Sequence, residues 1–202
     1  MHIATETAER HTLAVLVDNE PGILARIAGL FTARGYNIES LTVSDVTADK
    51  AVSRITIVTS ASAHVMEQIL AQLDRLIPVH SVTDLTALGP HVERELALVK
   101  VAGTGDKRIE AMRLADVYRA RVVDATISSF VFEVTGGRDK IDKFVELMGE
   151  VGLVEVARTG IVAIARGKDA AKTHPCSRAG GSLGWRSGLG SRLRGNTPGE
   201  RT

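Results

Sequence analysis

Asp18, Asn19, Glu20, Pro21 and Gly22 stand between an apolar run, "LAVLV" (13–17), and a segment whose apolar residues fall at helical spacing. The pattern puts a helix start directly after a strand end. Such a start leaves about four backbone N–H groups without partners inside the helix. Asp18 or Asn19 is of the type that caps one of them, and Pro21 suits a first turn because it has no N–H to satisfy. Gly22 offers backbone with no Cβ in the way. The amides from about Gly22 to Leu24 then face outward with the positive end of the helix behind them, which is chemistry for receiving a carboxylate. Two readings stand here: a capped turn with no ligand, or an anion-receiving helix start. The helix field contributes about 0.3–2 kcal/mol whereas micromolar binding needs about 8 kcal/mol, so side chains must supply the rest. Asn37 and Ile38, in "RGYNIESL" (34–41), are read as lying at the same end of the sheet. Asn37 would accept from an ammonium group while Ile38 and Leu24 give apolar contact. A small α-amino acid suits that set.

No other grouping assembles catalytic chemistry. His2, His11, His64, His80, His91 and His174 show no pair at metal-ligand spacing, and no metal site is assigned. The single cysteine, Cys176, falls in a tail that reads as disordered, which speaks against a thiol nucleophile supported by a base. Ser128 and Ser129 fall in a hairpin turn, where hydroxyls satisfy local backbone. "GTGDKR" (103–108) lacks both the third glycine of a dinucleotide fingerprint and the Gly-Lys-Ser/Thr of a P-loop. Glu93 and Glu95 flank Arg94 and read as a solvated or salt-bridged connection. No catalytic residue is assigned, and the chain is not expected to be an enzyme on its own.

The elements that must position Asn19 to Leu24 and Asn37 to Ile38 follow from periodicity. Strand 12–18, helix 21–34, strands 37–46 and 51–60, a helix near 62–76 ended by Pro78, and strand 79–86 spell β-α-β-β-α-β. The order recurs: strand 96–103, helix 106–120, a hairpin over 121–136, helix 138–152 and a closing strand or strands to Arg166. The fold class is therefore α+β, with two ferredoxin-like βαββαβ units. The expected boundaries are 11–88 for the unit that carries the candidate site, 89–95 for a linker, 96–166 for a second unit and 167–202 for a tail. Each unit leaves one sheet face uncovered by its helices, so a homo-oligomer is expected.

Composition excludes several classes. Among 202 residues 44% are hydrophobic and 24% charged, as in a globular domain rather than a disordered chain. No apolar run approaches the roughly 20 residues needed to span a bilayer, and no secretory leader opens the chain. One cysteine suits a cytoplasmic protein. Residues 167–202 hold seven Lys/Arg, two Asp/Glu and eight of the 19 glycines, which leaves 18 basic and 22 acidic residues in 1–166. The tail reads as disordered, either a solvated appendage or a phosphate-binding arm. A chain with 3% aromatics and a body of net negative charge speak against RNA binding through the sheets.

"LVDNEPGILARIAGLFTARGYNIESLTV", "SRITIV" and "HVERELALVKV" together resemble the small, regulatory subunits of acetolactate synthase (acetohydroxyacid synthase), over roughly residues 11–166. The resemblance implies that the first unit is an ACT domain and the second an ACT-like one. It implies that two ACT domains pair side by side as a homodimer and bind valine, or another branched-chain amino acid, at their interface. The family's effector loop maps onto Asn19, Gly22, Ile23 and Leu24, and its second-loop positions onto Asn37 and Ile38. Ala25 faces the same region. Relatives often carry a small residue where this chain has Pro21, and the tail has no counterpart. The implied partner is the large catalytic subunit, which holds thiamine diphosphate, Mg and FAD, while this chain binds no cofactor, nucleic acid or membrane. The implied role is to activate that subunit and to confer feedback inhibition by valine. A free-standing amino-acid sensor shares the same ligand site and is the alternative reading.

Overall fold

Residues 7–167 are described by a computed structural model. β1 (Glu9–Asp18) extends beyond its apolar stretch, and Leu13, Val15 and Val17 along it point to one face and are fully buried. α1 (Ile23–Thr32) follows, then β2 (Ser40–Asp45), β3 (Val52–Ala61), α2 (Ala63–Asp74) and β4 (Val79–Asp84). The strands form one antiparallel-paired sheet in the order β2-β3-β1-β4. Ile27 and Phe31 of α1, and Ile69 and Leu73 of α2, meet the alternating residues of β1 and β3 in one core. Each such buried side chain contributes about 1.5–3 kcal/mol.

A short helix, α3 (Leu85–Leu88), capped by the Asp84 carboxylate on the N–H groups of Thr86 and Ala87, leads to the second unit. That unit comprises β5 (His91–Ala102), α4 (Asp106–Tyr118), β6 (Arg121–Ala125), β7 (Ser129–Gly136), α5 (Arg138–Val151) and β8 (Leu153–Arg158). Its sheet order is β6-β7-β5-β8, over a core that includes Val99, Phe132, Ile141, Phe144 and Met148. The chain is thus two βαββαβ units, as the periodicity predicts. The basic tail from Lys168 onward lies outside the described residues.

Three sequence expectations need correction. Residues 89–95 read as a linker, yet β5 begins at His91, and its residues 91–94 pair with a further strand, β9 (Val162–Ala165). Glu93 and Glu95 are therefore strand residues, and Glu95 points inward with Ala97, Val99 and Val101. Second, α1 starts at Ile23, because Gly22 ahead of it adopts a left-handed backbone (φ 89°) that no helix residue can share. Third, the two loops of the candidate site lie at opposite ends of their sheet. Asp18 opposes Val52, whereas Ser40 opposes Val58, six residues away along β3. At about 3.3 Å per residue the separation is roughly 20 Å. A helix joining two parallel-running strands must travel back along the sheet, so its two ends cannot share one edge.

The ribbon of β5 and β9 covers the helix-free face of the first sheet. Ala14, Leu85 and Ala163 form a small buried cluster there with Ala165 alongside. Arg54 Nη2 donates to the Ala163 carbonyl (2.8 Å), Thr42 Oγ1 to the Ile161 carbonyl (2.7 Å), and the Ile161 amide to Ser40 Oγ (2.9 Å). Gly160 makes this approach feasible: at φ 82° any Cβ would meet Ser40 Oγ and Thr42 Cγ2 at 2.9 Å.

Candidate functional site

The junction after β1 is tied down on three sides. The Asp18 amide donates to the Pro78 carbonyl (2.8 Å) and the Asn19 amide to the Ala51 carbonyl (2.8 Å). Asn19 Nδ2 donates to the Lys50 carbonyl (3.0 Å) and to Asp45 Oδ1 (3.3 Å), which joins the turn to the β2–β3 hairpin. The cap expected from Asp18 or Asn19 is therefore absent: Asn19 is engaged elsewhere, Asp18 accepts from His80, and Gly22 is the N-cap without a side-chain bond. The consequence is a helix start whose first amides stay free. The Ile23 amide reaches the Glu20 carbonyl at 3.4 Å and the Arg26 amide the Gly22 carbonyl at 3.0 Å. The amides of Leu24 and Ala25 between them have no protein acceptor among the described residues. They lie at the positive helix end on exposed backbone.

The expected site residues divide by role. Gly22 is exposed, and nothing lies within 4 Å of where its Cβ would stand. Leu24 is 41% exposed, but Ile23 packs its side chain into the core and offers only backbone. At the far end Asn37 is exposed and accepts on its carbonyl from Thr59 Oγ1 (2.6 Å), while Ile38 is half-buried against the core. Within one copy these two groups do not meet. β2, between them, is an edge strand, and its Val43 is 48% exposed on the helix-bearing face.

Sequence reading missed a run of ion pairs that joins the two units beside the 33–39 loop. Glu39 Oε2 accepts from Arg138 Nη1 at 2.6 Å, and Glu39 Oε1 accepts from Ser60. Arg138 also faces Asp142 (3.6 Å), and Asp142 Oδ1 accepts from Arg158 Nη1 (2.6 Å). Arg158 in turn holds the buried Glu95 with Nε (2.8 Å) and Nη2 (2.6 Å). On the other side Arg10 donates to Glu93 Oε2 (3.2 Å), and Thr12 donates to Glu93 Oε1. The one local signal was Glu95, whose place in the inward alternation with Ala97 and Val99 calls for a buried partner.

The network shifts its own titrations. The Ser60 hydroxyl, then the Arg138 guanidinium, hold the Glu39 carboxyl below its ordinary range. Burial pushes Glu93 upward, but Thr12, Arg10 and His91 outweigh it and the net direction is down. Carboxyls depressed in the folded state add stability above the unfolded value of about 4.3, and that stability is lost as pH falls through the folded values. The denaturation midpoint of the wild type should therefore exceed that of Glu39→Gln/Glu93→Gln by a constant amount from about pH 7 to 5. The gap should close below about pH 4. A gap that persists at pH 3 would show that charge at these positions does not matter.

Among the described residues no three His, Cys, Asp or Glu side chains gather as metal ligands, and no helix is long and apolar enough to cross a membrane. A βαββαβ unit with an open helix start beside a free edge strand is the architecture of ACT-type domains. The comparisons with known proteins narrow this. A family model described as "AHAS small subunit-like ACT domain" matches residues 13–81, and one described as "Small subunit of acetolactate synthase" matches 94–167. A probable acetolactate synthase small subunit of Archaeoglobus fulgidus is 49% identical over 158 residues, 78% of this chain and 98% of the relative. The Escherichia coli isozyme 3 small subunit is 44% identical over 159 residues, 78% of this chain and 96% of the relative. The crystal structure of the Thermotoga maritima small subunit superposes with a TM-score of 0.73 at 36% identity, covering 80% of this chain and 99% of that one. The chain belongs to the family of acetolactate synthase small subunits.

Proposed function

We propose that this chain regulates branched-chain amino acid biosynthesis. It would activate the large catalytic subunit of acetolactate synthase and make it sensitive to valine, or another branched-chain amino acid, bound between two copies of the first unit. The family assignment supports the pathway and the partner. The observation that carries the ligand reading is the division of the site. Leu24 and Ala25 offer unpaired amides at one end of β2, and Asn37 and Ile38 lie at the other. A twofold axis that pairs β2 antiparallel with β2 of a second copy reverses one copy against the other. It brings the helix start of each beside the Asn37 loop of its partner, and it covers the exposed Val43 and Leu24. The ligand carboxylate would then sit on the helix amides, its ammonium on side-chain and carbonyl oxygens, and its aliphatic group against Leu24 and Ile38.

The catalytic partner, rather than this chain, would hold thiamine diphosphate, Mg and FAD. For valine to inhibit, it must bind two states of the complex unequally, and a coupling of about 1–3 kcal/mol gives a 5–150-fold difference in affinity. The test is calorimetric titration of valine, leucine and isoleucine into the dimer, together with acetolactate formation by the large subunit with and without this chain. Saturable binding of one ligand per interface site and ligand-reversible activation are the expected results. An unchanged rate of the large subunit on adding this chain would dismiss the regulatory role.

A further inference from the structure

Glu39 closes the loop that carries Asn37 and Ile38, and both its ends are fixed by different units. Its amide donates to the Val58 carbonyl (2.8 Å) and Oε1 accepts from Ser60, both in the first sheet. Oε2 accepts from Arg138, the first residue of α5 in the second unit, 99 positions along the chain. Arg10 Nε stands 3.8 Å from the same oxygen. Beyond Arg138 the pairs through Asp142 and Arg158 reach Glu95 in β5. The Glu39 side chain is 20% exposed and that of Arg138 39%. The contact is thus sheltered enough to hold a geometry and open enough to break without unfolding either core. The 33–39 loop is otherwise held within the first unit, by the Gly35 and Tyr36 amides on the Thr32 and Phe31 carbonyls and by the Thr59 hydroxyl on the Asn37 carbonyl, so the Glu39 bridge is its tie to the second unit. Thr32, Ala33, Arg34, Gly35 and Asn37 are exposed, and only Tyr36 and Ile38 lean on the core.

We infer that Glu39 is a positioning residue for the 33–39 loop, and that its bridge to Arg138 couples the conformation of that loop to the start of α5. A change in the loop either keeps Glu39 within reach of Arg138 or withdraws it, and withdrawal frees Arg138 for Asp142 alone. The use of this bridge to report a bound amino acid rests on the ligand reading above, whereas the bridge itself does not. Coupling needs a contact with two discrete arrangements rather than mere proximity, and in this proposal they are the pair made, as in the structure, and the pair broken.

Hydrogen exchange on the full chain without ligand is the test. In Arg138→Gln the amides of residues 39–42 should lose protection roughly fivefold, the share that a partly exposed charge-assisted pair supplies. In Glu39→Gln the amides of 139–142 should change reciprocally, and Arg138→Lys should restore part of the loss. Unchanged exchange at 39–42 in Arg138→Gln would overturn the coupling. So would a uniform rise that includes the core amides of β1, since that marks plain destabilisation. A second arm adds valine. Wild type should then alter exchange at 138–142, and Arg138→Gln should bind valine without doing so. Binding to wild type with no change at 138–142 counts against the coupling. Absence of valine binding by wild type defeats the ligand reading alone, because the ligand-free arm still decides the bridge.

Discussion

Gly22→Asp should abolish measurable valine binding, at least a hundredfold loss, while circular dichroism and the denaturation midpoint show a folded protein. Two effects act together. At φ 89° a residue with a Cβ pays about 1–2 kcal/mol, but the open space around Gly22 means that no neighbour has to move. The strain therefore lowers stability modestly and leaves the fold intact. The new carboxylate, in contrast, stands at the positive helix end where the unpaired amides of Leu24 and Ala25 lie. It competes for those N–H groups and repels a ligand carboxylate, and each 1.4 kcal/mol of that repulsion is tenfold in affinity. Gly22→Ala separates the two: it carries the strain without the charge and should weaken binding far less. Equal losses in the two variants would place the effect in the backbone and remove the anion argument. Undiminished binding in Gly22→Asp would move the ligand elsewhere.

Legibility in the sequence followed the range of the interactions. The apolar alternation of Leu13, Val15 and Val17 and the helical spacing of Ile23, Ile27 and Phe31 are local signals, and signals of that kind suffice for the first unit, as the alternation of Ala97, Val99 and Val101 and the helical spacing of Ile141, Phe144 and Met148 do for the second. Boundaries failed where a backbone angle or a distant partner decided them. Pro21 reads as a first-turn residue, but the left-handed Gly22 holds the helix back to Ile23. "GPHVERE" reads as a linker because its charges break the apolar pattern, yet Glu93 finds Arg10 across the junction and Glu95 finds Arg158 on the neighbouring strand of its own sheet. The pair Glu39 and Arg138, 99 residues apart, falls within no window of periodicity. The Asn37 loop reads as sharing a sheet end with the helix start, whereas strand register puts it at the opposite end. Topology imposes that constraint, and it becomes visible only once strand register is known.

Arg158→Met should be among the most damaging single changes outside the apolar cores, costing about 3 kcal/mol in urea unfolding. Glu95 is 5% exposed and takes both of its bonds from Arg158, so removing the guanidinium strands a buried carboxylate. Breaking a buried pair from one side costs about 3–5 kcal/mol, and the partial exposure of Arg158 argues for the lower end. The reverse change is milder. In Glu95→Gln the guanidinium keeps Asp142 and solvent, so a loss of about 1–2 kcal/mol is expected. The double change Glu95→Leu/Arg158→Met should recover most of the stability, because burial of two apolar groups needs no charge compensation. A double change no more stable than Arg158→Met alone would mean that Arg158→Met fails through packing rather than through a stranded charge. Arg158 would then be a space-filling residue rather than the counter-charge that lets β5 run unbroken from the first unit into the second.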